Sequence, residues 1–162
     1  MEQRISSIEA DVTRAREKAL RLLDYRPRSS KEIERRLAKA GFAQEVVEET
    51  LKRLEELGLI DDLQFARVWI NHRKALGKTR IKWELRQKGV SNDVVEEALS
   101  AVDPEMEYQS AVKAARSRWG KDKDPDKRTR RRRLAAFLQR KGFGWDVING
   151  VLNELSPERS GD

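Results

Sequence analysis

The chain has 162 residues, 38% of them hydrophobic and 39% charged, with 35 Lys+Arg against 28 Asp+Glu for a net charge of +7. So little apolar material argues for an elongated, thin-cored protein, and the positive balance points to a polyanion such as nucleic acid or an acidic protein surface. The lack of cysteine excludes disulfides and thiolate metal sites; with no apolar run near the roughly 20 residues of a membrane span, and no secretory signal in MEQRISSIEADVT, a cytoplasmic, non-membrane protein is expected.

In chain order, residues 1–13 carry Ile5, Ile8 and Val12 at helical spacing and predict a short N-terminal helix. Ala19, Leu20, Leu22 and Leu23 mark the next helix, which the Arg26-Pro27-Arg28-Ser29-Ser30 connection ends. The pair Ile33/Leu37 then predicts a helix that stops at Gly41, where glycine can take the left-handed conformation that closes it. Phe42 lies five residues before Val47, the spacing of a hydrophobic staple around the start of a third helix that includes Val46 and Leu51.

The stretch GLIDDLQFARVWI, residues 58–70, places Asp61 and Asp62 side by side. Gln64 follows Asp61 by three residues, and Ile60 and Phe65 flank them, so Asp61 reads as the N-cap of a helix carrying Phe65, Ala66, Trp69 and Ile70. A metal site, or a metal-dependent nuclease built on the two aspartates, would need further ligands that the neighbourhood lacks. After Leu76-Gly77-Lys78-Thr79, the pair Ile81/Leu85 leads to a second corner at Gly89, then Val90 and a helix with Val94, Val95 and Leu99. Tyr108, Ala111, Val112, Ala115 and Trp119 form the next helical stripe, followed by the polar connection GKDKDPDKRT, residues 120–129. Leu134/Leu138, the corner at Gly142, Phe143, and Val147, Ile148 and Leu152 complete the pattern, and SPERSGD reads as a disordered tail.

Three of these stretches align without a gap: IERRLAKAGFAQEVVEETL from Ile33, IKWELRQKGVSNDVVEEAL from Ile81 and LAAFLQRKGFGWDVINGVL from Leu134. Together with the stripe ahead of each, they describe a three-helix repeat used three times. The predicted fold is an all-α, elongated tandem array: an extension over 1–13, repeats over 14–60, 61–102 and 103–155, and a tail over 156–162. The corners Gly41, Gly89 and Gly142 and the cap Asp61 are its structural residues.

With the apolar pair of each second helix inward, the opposite side carries Arg35 and Lys39, then Arg80, Trp83 and Gln87, then Arg132, Arg133, Ala136 and Arg140, with Arg86 nearby. The third helices carry the opposite sign, with Glu45, Glu48, Glu49, Glu96 and Glu97. Basic groups recurring in every repeat are the candidate surface for a phosphate backbone or an acidic groove; the alternative is a solvated face. Trp83 lies across its helix from Ile81 and Leu85, where it could stack on a base or partner; a wedge against the adjacent repeat is the expectation. Trp69, Trp119 and Trp145 read as core, and His72, the one histidine, as a solvated or packed side chain. Helix, corner, helix is also the topology of a DNA-reading helix-turn-helix, but the glutamates on the helix after the corner argue against operator binding. With no phosphate loop and no nucleophile elbow, neither an enzyme nor a cofactor is expected.

The runs Gly58-Leu59-Ile60-Asp61-Asp62-Leu63-Gln64-Phe65-Ala66 and Gly77-Lys78-Thr79-Arg80-Ile81-Lys82-Trp83-Glu84-Leu85-Arg86-Gln87-Lys88-Gly89 closely resemble the central signature of the bacterial recombination regulator RecX family. The resemblance extends over roughly residues 15–155; the third repeat departs most, with Phe137 at the position of Glu84 and a longer polar loop. It implies a regulator of homologous recombination, DNA repair and the SOS response. Such a protein would lie in the groove of the RecA recombinase filament and inhibit its ATPase, strand-exchange and co-protease activities. It would be a monomer with non-specific contacts to single- and double-stranded DNA. A general DNA-binding protein that uses the same basic face is the competing expectation.

Overall fold

A computed structural model describes residues 1–157, and the chain over these is all-helical. The helices are α1 (Glu2–Tyr25), α2 (Ser30–Lys39), α3 (Gln44–Glu56), α4 (Asp62–His72), α5 (Lys78–Gln87), α6 (Asn92–Ser100), α7 (Pro104–Lys121), α8 (Lys127–Arg140) and α9 (Trp145–Leu155). The short N-terminal helix expected over residues 1–13 is the first half of the 24-residue α1. No Gly or Pro interrupts the periodicity from Ile5 through Leu23, and within the helix Asp11 pairs with Arg14 while the Thr13 hydroxyl donates to the Glu9 carbonyl, so nothing stops the helix between them. The expected disordered tail lies outside the described residues from 158 on. Its first two residues are held: the Leu152 carbonyl accepts from the Ser156 N–H (2.9 Å), and the Pro157 carbonyl accepts from Lys127 Nζ (3.0 Å).

Each corner closes one helix and opens the next with the same few atoms. In the first, the Gly41 N–H donates to the Ala38 carbonyl (3.0 Å) and the Phe42 N–H to the Leu37 carbonyl (3.3 Å), the paired bonds that tie off a helix through a left-handed residue. Gly41, Gly89 and Gly142 have φ of 92°, 78° and 89°. Phe42 then precedes the N-cap Ala43, so one apolar side chain packs at the end of α2 and staples the start of α3. A fourth corner of the same kind stands at Gly58 (φ 68°), whose N–H donates to the Glu55 carbonyl (2.9 Å).

The chain divides into two compact units, Met1–Val68 with Leu85–Val95, and Trp69–Glu84 with the chain from Glu96 on, so the boundary crosses α4, α5 and α6. The first unit packs Val12, Ala15 and Ala19 of α1 against Ile33 and Leu37 of α2 and Val46, Val47 and Leu54 of α3. In the second, Ala111, Val112 and Ala115 of α7 meet Leu134 and Leu138 of α8 and Ile148, Val151 and Leu152 of α9. Alanines line the first helix of each set, letting the other two approach closely.

Both units contain the same junction between successive repeats. In the first, the buried Ser29 caps α2: its hydroxyl accepts from the Glu32 N–H (3.2 Å) while Glu32 accepts from the Ser29 N–H (3.2 Å), and the hydroxyl donates to the Lys88 carbonyl. The Ser30 N–H donates to Asp62 Oδ1 (2.8 Å). In the second, the Gly77 N–H donates to the Lys141 carbonyl (2.9 Å), the Thr79 N–H to the Gly142 carbonyl (3.1 Å) and the Lys78 N–H to Glu107 Oε1 (3.0 Å). Thus a second-helix N-terminus takes its acceptors from the next repeat: a carbonyl just before the corner glycine and a carboxylate from the following helix's first turn.

The close approach makes the corner glycines unequal. A Cβ on Gly142 would lie 2.4 Å from the Arg80 backbone nitrogen, whereas one on Gly41 would meet nothing within 4 Å. Gly41→Ala should therefore cost only the left-handed strain, about 1–2 kcal/mol, and Gly142→Ala about 1–3 kcal/mol more through overpacking. Urea melts of the two variants test the order, and equal losses would show that the approach of Arg80 leaves room for a Cβ at Gly142.

Candidate functional site

The paired aspartates each serve a helix N-terminus. Asp61 Oδ1 accepts from the Gln64 N–H (3.0 Å), capping α4, and Asp62 Oδ1 accepts from the Ser30 N–H and from the Ser30 hydroxyl (2.8 and 3.1 Å) at the start of α2. His72 is exposed at the end of α4.

In the first unit, Arg35 and Lys39 stand exposed on α2, and Arg26, Arg28, Glu32 and Arg36 join them around an open recess of about 250 Å³. Glu32 is its one acidic side chain and is already engaged, with Arg26 at 2.9 Å and Lys88 at 3.5 Å. Arg28 is only 8% exposed and donates through Nε to the Leu22 carbonyl near the end of α1 (3.1 Å). Burial, aided by the neighbouring charges of Arg26 and Arg36, pulls its pKa below the usual arginine value. Arg35 Nη1 reaches the Gln87 carbonyl at 3.5 Å, so at this contact Gln87 offers its backbone; its side chain is exposed. Arg86 donates through Nε to Asn92 Oδ1 (2.8 Å).

In the second unit, Arg80 and Trp83 lie on α5 with the Arg80 guanidinium 4.7 Å from the Trp83 ring centroid. With 52% of its surface open, Trp83 is not the packed wedge expected. Glu84, with a side chain 15% exposed, accepts from Arg80 Nε (3.2 Å), Arg73 Nε (3.2 Å) and Trp69 Nε1 (3.0 Å). Arg132 and Arg140 are exposed on α8, whereas Arg133 is paired with Asp124 (3.0 Å) and Asp122 (3.5 Å) of the long connection. Asp122 is held below the usual carboxylate range, chiefly by the Asp124 N–H and secondarily by Arg133. The basic side of the third repeat is therefore thinner than its sequence implies.

The other tryptophans divide. Trp69 and Trp119 are half-buried, each beneath a guanidinium: Arg73 at 4.7 Å and Arg130 at 4.0 Å. Trp145, expected in the core, is 65% exposed, because it is the first residue of α9 and Phe143 already fills the buried position at that corner. The first-unit recess was missed by the helical-face reading because Arg26 and Arg28 lie in the connection before α2; the Ser29-x-x-Glu32 capping box was the available signal.

Residues 15–54 match the first three-helix domain of RecX, residues 61–99 the second and residues 105–152 the third. The chain is 36% identical over 152 residues to the regulatory protein RecX of Amycolatopsis mediterranei, covering 90% of this chain and 87% of that one. With the regulatory protein RecX of Prosthecochloris aestuarii it shares 37% identity over 152 residues, 91% of this chain and 97% of the other. The crystal structure of RecX from Lactobacillus salivarius superposes with a TM-score of 0.86 at 25% identity over 91% of this chain and 97% of that one. The chain belongs to the RecX family.

Glu32 gives the first-unit site an acid dependence. Burial pushes its carboxyl up, but hydrogen bonds from Arg26 and the Ser29 N–H, with the charge of Lys88, outweigh this and hold it below the ordinary value. A carboxyl lowered on folding contributes stability that is present above its unfolded pKa and lost as pH falls through the folded one. The stability difference between wild type and Glu32→Gln should therefore be widest near neutrality and shrink in acid, read from urea midpoints across roughly pH 3 to 7. A difference constant across that range would show that the charge of Glu32 contributes nothing.

Proposed function

We propose that this RecX-family protein binds the RecA recombinase filament on DNA and restrains it, lowering ATP hydrolysis, strand exchange and co-protease activity. It acts as a monomer in the cytoplasm, by occupancy rather than by chemistry, with non-specific contacts to single- and double-stranded DNA. The relatives quoted above carry the name of regulatory proteins. No helix among the described residues is long and apolar enough to cross a membrane.

The observation that carries this reading is the sorting of charge by helix within each unit. The first-unit recess gathers five cationic side chains around one committed carboxylate, and α8 presents Arg132 and Arg140 to solvent in the second. The third helices are acidic, with Glu45, Glu48 and Glu49 on α3 and Glu96 and Glu97 on α6. A merely soluble surface would balance the two signs on every helix; helices that lean to one sign, fully basic on α8 and fully acidic on α6, favour a phosphate backbone or an acidic protein groove.

Charge reversal of Arg35, Lys39, Arg132 and Arg140 to Glu avoids the pair that Arg133 makes with the acidic connection. The variant should keep its melting temperature, lose inhibition of RecA ATPase and strand exchange, and bind DNA more weakly. The slope of log affinity against log salt should fall by about 0.7–0.9 for each phosphate no longer neutralised. Inhibition that survives the reversal would place the RecA contact elsewhere; DNA binding abolished with inhibition intact would show that the basic faces serve DNA alone.

A further inference from the structure

Glu84 organises four flat groups into one rigid surface on the second unit. Its Oε2 accepts from Trp69 Nε1 (3.0 Å) and Arg73 Nε (3.2 Å), and its Oε1 from Arg80 Nε (3.2 Å). Each guanidinium so fixed lies against an indole, Arg73 at 4.7 Å from the Trp69 centroid and Arg80 at 4.7 Å from that of Trp83. A single shielded carboxylate thus sets the orientation of two cation–ring stacks that would otherwise be long side chains sampling many rotamers. Stability alone does not call for a half-exposed tryptophan here, since leaving 52% of Trp83 open forfeits the apolar burial that an indole provides.

From this geometry we infer that Trp83, Arg80 and Glu84 form a stacking site for an unpaired nucleobase, with Arg80 taking the adjoining phosphate. The chemistry is that of single-stranded nucleic acid. The exposed part of an indole can stack on any base, and the two guanidinia outnumber the one carboxylate, leaving a net positive charge beside it. Arg80 and Arg73 are held through Nε, so their Nη groups carry further donors suited to phosphate oxygens. Bases in a duplex are already stacked and paired and cannot use such a face, so the site discriminates strand state where the basic helices do not. A protein hot spot would place apolar residues around the indole, whereas the residues three and four positions before it on α5 are Arg80 and Thr79. This inference rests on the proposed contact with DNA and adds to it a preference for the single strand.

The test compares wild type, Trp83→Ala and Trp83→Phe in binding a labelled oligo(dT) and a duplex of equal length at one salt concentration, with melting temperatures as a check on folding. Trp83→Ala should weaken oligo(dT) binding about tenfold, within the range of one base–aromatic stack. Duplex binding should change less than about twofold, with the salt slope kept, because phosphate contacts supply both. Trp83→Phe should recover most of the loss, and oligo(dT) should quench tryptophan fluorescence in wild type more than in Trp83→Ala. Unchanged oligo(dT) affinity in a folded Trp83→Ala variant, or an equal loss for both DNAs, overturns the stacking site while leaving the DNA contact standing. Wild type that binds neither DNA overturns both. Inhibition of RecA abolished in Trp83→Ala with DNA binding intact would make Trp83 a protein contact and overturn the site as well.

Discussion

A helix N-terminus has four N–H groups without partners of its own, and in this chain two such ends are completed by the repeat that follows. Residues 29 and 30 reach the Lys88 carbonyl and the Asp62 carboxylate; residues 77 and 78 reach the Lys141 carbonyl and the Glu107 carboxylate. The carboxylate adds a favourable charge at the positive end of the helix dipole, and the corner glycine, lacking Cβ, lets backbone approach backbone. Gly77 and Gly142 depend on each other in this way, since a Cβ on Gly77 would fall 2.2 Å from the Gly142 carbonyl oxygen. A left-handed glycine thus ends a helix and also clears space for the next helix to dock. On α8 the corresponding end is satisfied within its own repeat, where Asp126 accepts from the Arg128 and Thr129 N–H groups (3.1 and 3.2 Å).

Glutamates on the second helices organise the cations near these junctions. Glu32 draws in Arg26 and Lys88 in the first unit, and Glu84 draws in Arg73 and Arg80 in the second. Each carboxylate is outnumbered by the cations it holds, so it orients positive charge without cancelling it. In the third repeat Phe137 stands at the position of Glu84, and its ring lies under Arg118 at 5.7 Å and Lys141 at 5.5 Å. An aromatic face there takes up the role of gathering cations that a carboxylate has in the second repeat. Cations held in this way have less side-chain entropy left to lose when an anion binds them.

Much of the architecture was legible in the chain, because helix periodicity, caps and corners act within a few residues. The Ile33/Leu37, Ile81/Leu85 and Leu134/Leu138 pairs all lie inward, and the glycine that ends each of those helices has positive φ. The sequence by itself determined the all-α repeat and the sign of charge on each helix, since a 3.6-residue period and a left-handed glycine leave few alternatives. Tertiary structure decided which charges are available and which aromatics are open. Arg133 is neutralised by aspartates about ten residues upstream in a loop that reads only as polar, and Asp62 is used by a serine 32 residues before it. Trp145 and Trp83 are exposed while Arg28 is buried, because exposure depends on what neighbouring elements already fill, and those contacts join residues whose spacing along the chain follows no local period.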